Sequence, residues 1–467
     1  MTSDIHYLGL LEVSEAIRHR ALTSEAVTRA LLDRIARLDG GLHSVMMLLA
    51  DQALDQARAA DREIASGLWR GPLHGVPIGI KDLLFTKDLP TTAGMEILKD
   101  FRPSEDATVV ARLKRAGAVL IAKLHMTEGA TLDHHPSLPR PVNPWSAAHW
   151  TGVSSSGSGV ASAAGFCYGA IGSDTAGSIR MPSAANNLTG VKPTWGRVSR
   201  HGIHHLSESL DHLGPMARSA GDAAAILQAI AGVDPADPTS LSAPVPDYLA
   251  QLGQGVSDLV IGVDWRFATE GMPAEVSAAV RGAAAVFADL GARVREIEFP
   301  STEAVATTIM PVLMVEVAVA HAAHFPEKAD RYGPRLRGML EAAASFDGLT
   351  TARAYQARDR FTGALRTAFR DVDLVLVPGL GCIVPTWEEM EALGSDMPRM
   401  SRSLMRYTTP FNLAGVPTIS LPGGFTAGGL PVGVQLVGWR LAEPALLRAG
   451  YAFQQATDFH TRRPPLN

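Results

Sequence analysis

The feature of this 467-residue chain that most restricts its fold is an alternation of short apolar runs with helical patterns. The run GVPIGIK at 75–81 predicts a strand, residues 106–117 predict a helix, and AVLIAKL at 118–124 predicts a second strand. Strands that are joined through a helix pair in parallel. Three later apolar runs between residues 373 and 438 predict that the same sheet is completed there. We therefore expect an α/β fold in which a large, mixed, mostly parallel, twisted β-sheet is sandwiched between α-helices.

These elements predict a single domain over residues 1–467 with an N-terminal helical segment. The catalytic core is expected at about residues 70–220, and the sheet is expected to be completed by about residues 372–456. The run DPADPTSLSAPVP at 234–246 is rich in Pro and Asp, which is typical of an exposed connector. Because the later strands continue the same sheet, we interpret this run as a connector within one domain.

Composition limits the partners and the compartment. The formal net charge of −5 provides no basic face for nucleic acid or for a membrane surface, so the expected partner is a small-molecule substrate. Only two cysteines occur, Cys167 and Cys382, which argues against a disulfide framework and favours a reducing, cytoplasmic compartment. The start lacks the pattern of a signal peptide, and no apolar run reaches the roughly 18 residues of a membrane span. Monomer and homodimer both stay open.

Lys81 ends a run that is otherwise apolar. Most lysines lie at the surface, or bury only their stem while the ammonium reaches water. The run Val76–Ile80, however, is typical of a strand that is buried on both faces. Burial lowers the pKa of a lysine because the charged form loses its water, and a neutral amine is a general base near neutral pH. The residues alone leave both interpretations of Lys81 open.

Two turns rich in serine and glycine follow, GVSSSGSG at 152–159 and GSDTAGS at 172–178. Such runs are most often flexible linkers, and Ser178 is also typical of an ordinary helix cap. The linker interpretation is disfavoured because the first run passes directly into a segment with helix and strand character. Backbone N–H groups of the second turn predict a concave site for an oxyanion. These are the amides of Thr175, Ala176, Gly177 and Ser178.

Together these motifs resemble the amidase signature family, whose members use a Ser, cis-Ser, Lys triad. The 24-residue separation of Ser154 from Ser178 is the family's usual one, and HGVPIGIKD at 74–82 is similar to the family's lysine strand. The similarity runs from about Val13 to Ala456 and includes GVKPTWGRVSR, FNLAGVPTISLP and GLPVGVQLVG. It is weak between about residues 265 and 370.

The resemblance implies a role for each motif residue. It makes Ser178 the nucleophile, Ser154 the bridging serine that follows a cis peptide bond, and Lys81 the base. It also implies that amides of the second turn hold the oxyanion and that three further residues support the site. These are Ser155, which supports the lysine, and Asp174 and Arg180, which brace the loop by charge-assisted hydrogen bonds.

Departures from the family pattern lie at the rim of the expected site. Val153 and Ser156 stand where many members have glycine, and Ala176 replaces a glycine of the second turn. We expect intact chemistry and a reshaped rim, with Met126, Gly152 and Val153 in contact with the substrate. The loop that follows Met126 also departs from the family pattern. Of the properties that the resemblance implies, the identity of the substrate is therefore the one that can least be carried over to this chain.

Clusters of histidines suggest a metal site as an alternative. His201, His204 and His205 form an HxxHH cluster, and His134 and His135 are adjacent. The first cluster lines up with a loop that binds no metal in the family, so we expect neither a metal nor a cofactor. The serines of the two turns lack a GxSxG elbow, and no phosphate-binding glycine-rich loop occurs.

The sequence thus predicts an amidohydrolase that cleaves a C–N bond of a small, largely apolar amide, anilide or carbamate, with esters as side substrates. The reaction is expected to pass through a Ser178 acyl-enzyme with a proton relay through Lys81 and Ser154. Two alternatives stay open. One is the ammonia-releasing component of a transamidation complex that uses glutamine, and the other is an inactive binding protein that keeps the fold.

Overall fold

A computed structural model describes residues 5–466 of the chain. Over these residues eleven strands, numbered along the chain, form one sheet. They are β1 (Val45–Leu48), β2 (Pro77–Lys81), β3 (Val119–Leu124), β4 (Gly169–Asp174), β5 (Thr189–Lys192), β6 (His212–Ala217), β7 (Val260–Val263), β8 (Arg293–Glu296), β9 (Leu374–Pro378), β10 (Thr418–Phe425) and β11 (Pro431–Gly438). Their order across the sheet is β1-β3-β2-β4-β6-β5-β10-β11-β9-β7-β8.

The sheet is mixed. Parallel pairing joins β2 to β3 and β4, and it joins β7 to β8 and β9. The other neighbouring pairs within residues 5–466 are antiparallel and make up the centre of the sheet and the β1 edge. The predicted large mixed sheet of an α/β fold is confirmed. Parallel pairing is confined to two blocks, because the central strands β5, β6, β10 and β11 meet neighbours that run the opposite way.

Helices flank the sheet, and their apolar faces account for their positions. In the second helix, Val27, Leu31 and Ile35 recur at helical spacing and are all buried. The helices are α1 (Leu10–Arg18), α2 (Ser24–Leu42), α3 (Ala50–Ala65), α4 (Thr108–Arg115), α5 (Ser156–Ala163), α6 (Arg180–Ala185), α7 (Ala220–Ile230), α8 (Trp265–Thr269), α9 (Ala274–Asp289), α10 (Glu303–His321), α11 (Pro334–Ala343), α12 (Gly348–Ala368), α13 (Trp387–Ser395), α14 (Met397–Met400), α15 (Thr409–Leu413) and α16 (Glu443–Ala456). In the part of the chain that the structure describes, none of them is long and apolar enough to cross a bilayer.

Two parallel strands bring the serine and lysine motifs to one edge of the sheet. β2 ends at Lys81 and its neighbour β4 ends at Asp174, and the carboxyl ends of parallel strands lie at the same edge. Beyond β4 the chain turns through Ser178 into α6. Helix α5 begins at Ser156, two residues after Ser154, and all eight of its residues are buried. The first serine-rich run therefore enters a core helix and is not a linker.

Candidate active site

Three serine hydroxyls surround the amine of Lys81. Its Nζ lies 2.6 Å from Oγ of Ser154, 3.0 Å from Oγ of Ser155 and 2.8 Å from Oγ of Ser173. All four side chains are buried. Sequence reasoning singled out Ser154 and Ser155 but missed Ser173, although Ser173 lies within the GSDTAGS motif. The apolar strand β2 thus ends in a lysine whose amine is surrounded by hydroxyl groups.

The environment of Lys81 favours its neutral form. Burial lowers its pKa from an ordinary 10.5 to about 7, because the ammonium loses its water. The charges of Asp211 and Asp174 raise the pKa but do not restore the ordinary value. Between a snorkelling surface lysine and a buried amine, the structure supports the second interpretation.

The backbone before Ser154 approaches α6 closely. The peptide bond between Val153 and Ser154 is cis, and Gly152 has a φ of +81°. A Cβ at Gly152 would lie 2.2 Å from Cα of Pro182, so this close approach requires glycine. Gly152 therefore packs against α6. Its predicted contact with the substrate stays a prediction.

A buried ion pair braces the turn between β4 and α6. Asp174 and Arg180 are both fully buried and form a two-pronged contact with N–O distances of 2.9 and 3.0 Å. Asp174 also accepts the N–H groups of Gly177, at 2.8 Å, and Ile179, at 3.0 Å. Burial raises the pKa of Asp174, but the charge of Arg180 outweighs burial and holds that pKa well below its usual range. The carboxylate therefore stays charged and fixes the turn that carries Ser178.

Residues near the C-terminal end complete this brace. Asn412 donates to the carboxylate of Asp174 at 2.8 Å and accepts from Arg180. Gln435 of β11 accepts from Arg180 at 3.2 Å and donates to the carbonyl of Tyr407 at 2.7 Å. Sequence reasoning missed both residues. The available signal was a single polar glutamine within the apolar run PVGVQLVG.

The backbone amides of the turn fall into two groups. The N–H of Gly177 is bonded to Asp174. The N–H groups of Thr175, Ala176 and Ser178 have no protein acceptor among residues 5–466. Within the described residues, three of the four predicted oxyanion donors are therefore free, whereas Gly177 is already bonded inward and shapes the turn.

Ser178 lines a cavity of about 430 Å³, which we call the apolar cavity. Its walls include Val153, Thr175 and Ala176, and Arg335 is the one charged residue among its described lining residues. Six methionines also line it. They are Met181, Met310, Met314, Met339, Met400 and Met405. Because Ser178 is only 7 % exposed, a substrate reaches its hydroxyl by entering this cavity.

Only some of the residues that were predicted to contact the substrate line the apolar cavity. Val153 lines it, whereas Met126 is 1 % exposed and lies in the main hydrophobic core, so its substrate contact stays a prediction. Much of the wall comes instead from α10 and α11, through residues such as Leu313 and Gly338. Both helices lie in the region where the family resemblance is weak, so sequence reasoning missed this wall.

The histidines of the two predicted clusters are half-buried. Burial lowers the pKa of His204 to about 4 and that of His134 to about 3. His205 contacts the carboxylate of Asp211 at 3.2 Å, and His134 contacts Ser156 at 3.0 Å. Among the residues that the structure describes, no group of three or more His, Cys, Asp or Glu side chains is placed to hold a metal ion.

Comparison with known proteins gives a consistent result. A family model described as Amidase matches residues 26–447. The protein named "Putative amidase AmiD" of Mycobacterium tuberculosis (strain ATCC 25618 / H37Rv) is 49% identical over 462 residues, which cover 99% of this chain and 97% of that protein. A glutamyl-tRNA(Gln) amidotransferase component of Moorella thermoacetica is 39% identical over 489 residues, and the match covers 99% of each chain.

Solved structures agree with these relatives. The native peptide amidase from Stenotrophomonas maltophilia superposes with a TM-score of 0.83 and 32% sequence identity, over 98% of each chain. A bacterial aryl acylamidase superposes with a TM-score of 0.87 over 99% of this chain and 100% of that chain, at 24% identity. The second likeness concerns the fold alone.

Proposed function

Since this chain belongs to the amidase family and is a hydrolase of C–N bonds, we propose that it acts on small, apolar amides, anilides or carbamates through Ser178. The observation that carries this proposal is the apolar cavity, which has Ser178 in its wall. A buried lysine whose pKa lies near neutrality stands behind it in a shell of serines. These parts match what nucleophilic catalysis requires, namely a hydroxyl, a base and an enclosed site for the acyl group.

The hydrogen-bond count around Lys81 supports a proton relay. A neutral amine has two N–H donors and one lone pair. Ser155 donates its only O–H to the carbonyl of Ser173 at 3.2 Å, so it accepts from Lys81. The hydroxyl of Ser173 takes the second N–H, and the lone pair then faces Ser154, the nearest of the three at 2.6 Å. In the proposed relay, Ser154 then accepts the proton of Ser178.

The proposed reaction follows from this arrangement. The oxygen of Ser178 forms a bond to the carbonyl carbon while its proton passes to Ser154 and the proton of Ser154 passes to Lys81. The free amides of the turn donate to the oxyanion. Collapse of the intermediate breaks the C–N bond, and the proton returns through Ser154 to the departing amine. Water then hydrolyses the acyl-enzyme with the same groups and releases the acid.

The cavity lining supports an apolar substrate. Methionine is flexible and polarisable, so a wall of methionines adapts to aliphatic and aromatic groups of different shape. A volume of about 430 Å³ is in the range of small-molecule sites. The lining offers one charge, that of Arg335, and no carboxylate among the described residues.

The glutamine-dependent transamidation role remains a second candidate, because the amidotransferase of Moorella thermoacetica shares 39% identity with this chain. Free glutamine carries an ammonium and a carboxylate, and each would need a partner once it is desolvated. Arg335 provides a partner for the carboxylate, but the ammonium has no acidic partner among the described lining residues. The cavity therefore favours the apolar amide over glutamine.

A substrate panel tests this proposal. We expect wild type to hydrolyse neutral acyl anilides, aryl carbamates and apolar primary amides, with kcat/KM for free glutamine lower by about 100-fold or more. Ser178→Ala is expected to lose turnover by about 10⁴-fold or more. It should also lose labelling by a fluorophosphonate, whereas Ser207→Ala, a buried serine outside the cavity lining, should keep it. Comparable rates for glutamine and anilides, or full activity of Ser178→Ala, would refute the proposal.

A further inference from the structure

A second cavity, of about 500 Å³, lies on the other side of the segment that forms one wall of the apolar cavity. We call it the outer pocket. Met405 lines both cavities, and it belongs to the π-helical turn Ser401–Met405. The outer pocket is lined by three arginines, Arg266, Arg402 and Arg406, together with aromatic and hydroxyl side chains.

The charged residues that line the outer pocket carry a net positive charge. Among the residues whose side chains the structure describes, none of the three arginines forms an ion pair. Two carboxylates also line the pocket. Asp264 uses both oxygens to accept backbone N–H groups, from Phe267 at 2.9 Å and Phe299 at 2.8 Å. Glu270 is the remaining acidic group, so three cations face two anions.

One of the arginines is held in place before any ligand arrives. The guanidinium of Arg406 lies 4.7 Å from the ring centre of Phe267 and 5.4 Å from that of Tyr407. Such contacts restrict the side chain while leaving its N–H groups available. Thr409 also lines the pocket, and its buried hydroxyl has no hydrogen-bond partner among the described residues. A buried polar group without a partner indicates an absent ligand or water.

We propose that the outer pocket binds a phosphate-type anion, either free phosphate or the phosphomonoester of a small metabolite, and that the bound anion fixes the shared wall of the apolar cavity. Guanidinium groups recognise phosphate through paired N–H donors, and several arginines in one pocket suit its doubly charged form better than a single carboxylate. The volume of the pocket admits a group larger than phosphate itself.

Four consecutive residues link the outer pocket to the catalytic turn. Met405 faces both cavities and Arg406 faces the anion site. The carbonyl of Tyr407 is held by Gln435, and the hydroxyl of Thr408 donates to the carbonyl of Ala176 at 2.6 Å. An anion that orders this segment therefore acts on a substrate wall and on the oxyanion turn together. Binding in the outer pocket is thereby coupled to substrate binding in the apolar cavity.

Calorimetry with inorganic phosphate at constant ionic strength tests the site. We expect saturable one-to-one binding to wild type and at least tenfold weaker binding to the double variant Arg266→Gln/Arg402→Gln, which changes two exposed side chains and leaves the core intact. The matched control is Arg293→Gln/Arg399→Gln, which removes the same charge from exposed arginines outside the pocket and should bind within twofold of wild type. Glycerol phosphate as a second probe distinguishes the two sources: tighter binding than phosphate indicates a metabolite ester, and equal binding indicates free phosphate.

Kinetics test the link to the apolar cavity. This part rests on the proposed amidase function, so a neutral anilide is the substrate. Saturating phosphate is expected to lower KM about twofold or more in wild type and to have no effect on Arg266→Gln/Arg402→Gln. Absence of phosphate binding to wild type, or equal binding to both double variants, would overturn the site. An unchanged KM would overturn the link, whereas inactivity toward every anilide, carbamate and primary amide of the panel would refute the proposed function and leave the calorimetric result standing.

Discussion

At the scale of single residues, the proposed mechanism depends on the protonation of Lys81. Its pKa of about 7 means that the amine is charged below neutrality and neutral above it. As a base it must be neutral, so kcat/KM should fall about tenfold for each pH unit below about 7 and level off above it. A pH–rate profile on an anilide measures this limb, and a flat profile down to about pH 5 would contradict a lysine base.

Replacement of the same lysine gives a sharper result. Lys81→Met should reduce kcat/KM by about 10³-fold and remove the acidic limb of the profile, because no other group replaces the amine. Lys87→Met is the control, since Lys87 is exposed whereas the serines around Lys81 are buried. Activity of Lys81→Met within a few-fold of wild type would rule out the relay.

Ser173 offers a separate test of the shell around Lys81. Its hydroxyl lies 2.8 Å from the amine, and a hydrogen bond to a charged amine stabilises the charged form. Ser173→Ala should therefore lower the pKa of Lys81 and shift the midpoint of the pH–rate profile toward acid by roughly half a unit or more. The control Ser162→Ala, at a buried serine bonded to the Met216 carbonyl, should leave the midpoint in place. A shift toward alkaline pH would show that the Ser173 hydroxyl does not stabilise the ammonium.

Residues were predictable where unusual chemistry sits in an unusual local context. Lys81 ends an apolar strand, and Ser154 and Ser178 lie on glycine-rich turns, so each stands out within its own segment. Ser173 lies in one of those turns, but only the close approach of β2 to β4 brings it to the lysine. That distance cannot be predicted from the local sequence.

At the scale of elements, β11 has a function beyond completing the sheet. Its Gln435 is fully buried and joins Arg180 to the carbonyl of Tyr407. Through Arg180 the strand reaches Asp174, which fixes the turn of Ser178. The parallel blocks of the sheet were predictable from the alternation of strands and helices. The antiparallel centre was not, because it pairs strands distant in the chain, such as β5 with β10.

Replacement of Gln435 tests this role. Gln435→Leu keeps the apolar strand but removes both hydrogen bonds, so we expect kcat to fall about tenfold with KM nearly unchanged. The control is Gln454→Leu on α16, a buried glutamine that bonds Ala220 and Thr189 instead. It carries a similar loss of buried hydrogen bonds and should affect Tm but not kcat. If both variants lose kcat equally, Gln435 acts through general stability rather than through the turn.

At the scale of the whole molecule, burial of titratable groups makes the stability of the fold depend on pH. His134, His204 and His321 have pKa values of about 3, 4 and 3 because burial excludes the charged form. In the unfolded chain each binds a proton near pH 6.5. Unfolding therefore takes up protons between about pH 4 and 6.5, and stability falls as the pH falls through that range. None of these shifts is readable from sequence, since they follow from the surroundings that the fold creates.

Glu128 has the opposite effect on stability, because its contribution falls as the pH rises, and it can be tested separately. Burial raises its pKa from 4.5 to about 7. The N–H of Gly333, which lies 2.9 Å from one of its oxygens, lowers the pKa but does not outweigh burial. The folded state therefore holds a proton between about pH 4.5 and 7 that the unfolded chain has lost, so this group costs stability as the pH rises. Glu128→Gln is always neutral and keeps an acceptor for Gly333, so its Tm should exceed that of wild type at pH 8 and match it near pH 5. Thermal scans at both values measure the difference, with the exposed Glu391→Gln as control. An equal Tm difference at both pH values would mean that packing, not ionisation, distinguishes Glu128 from glutamine.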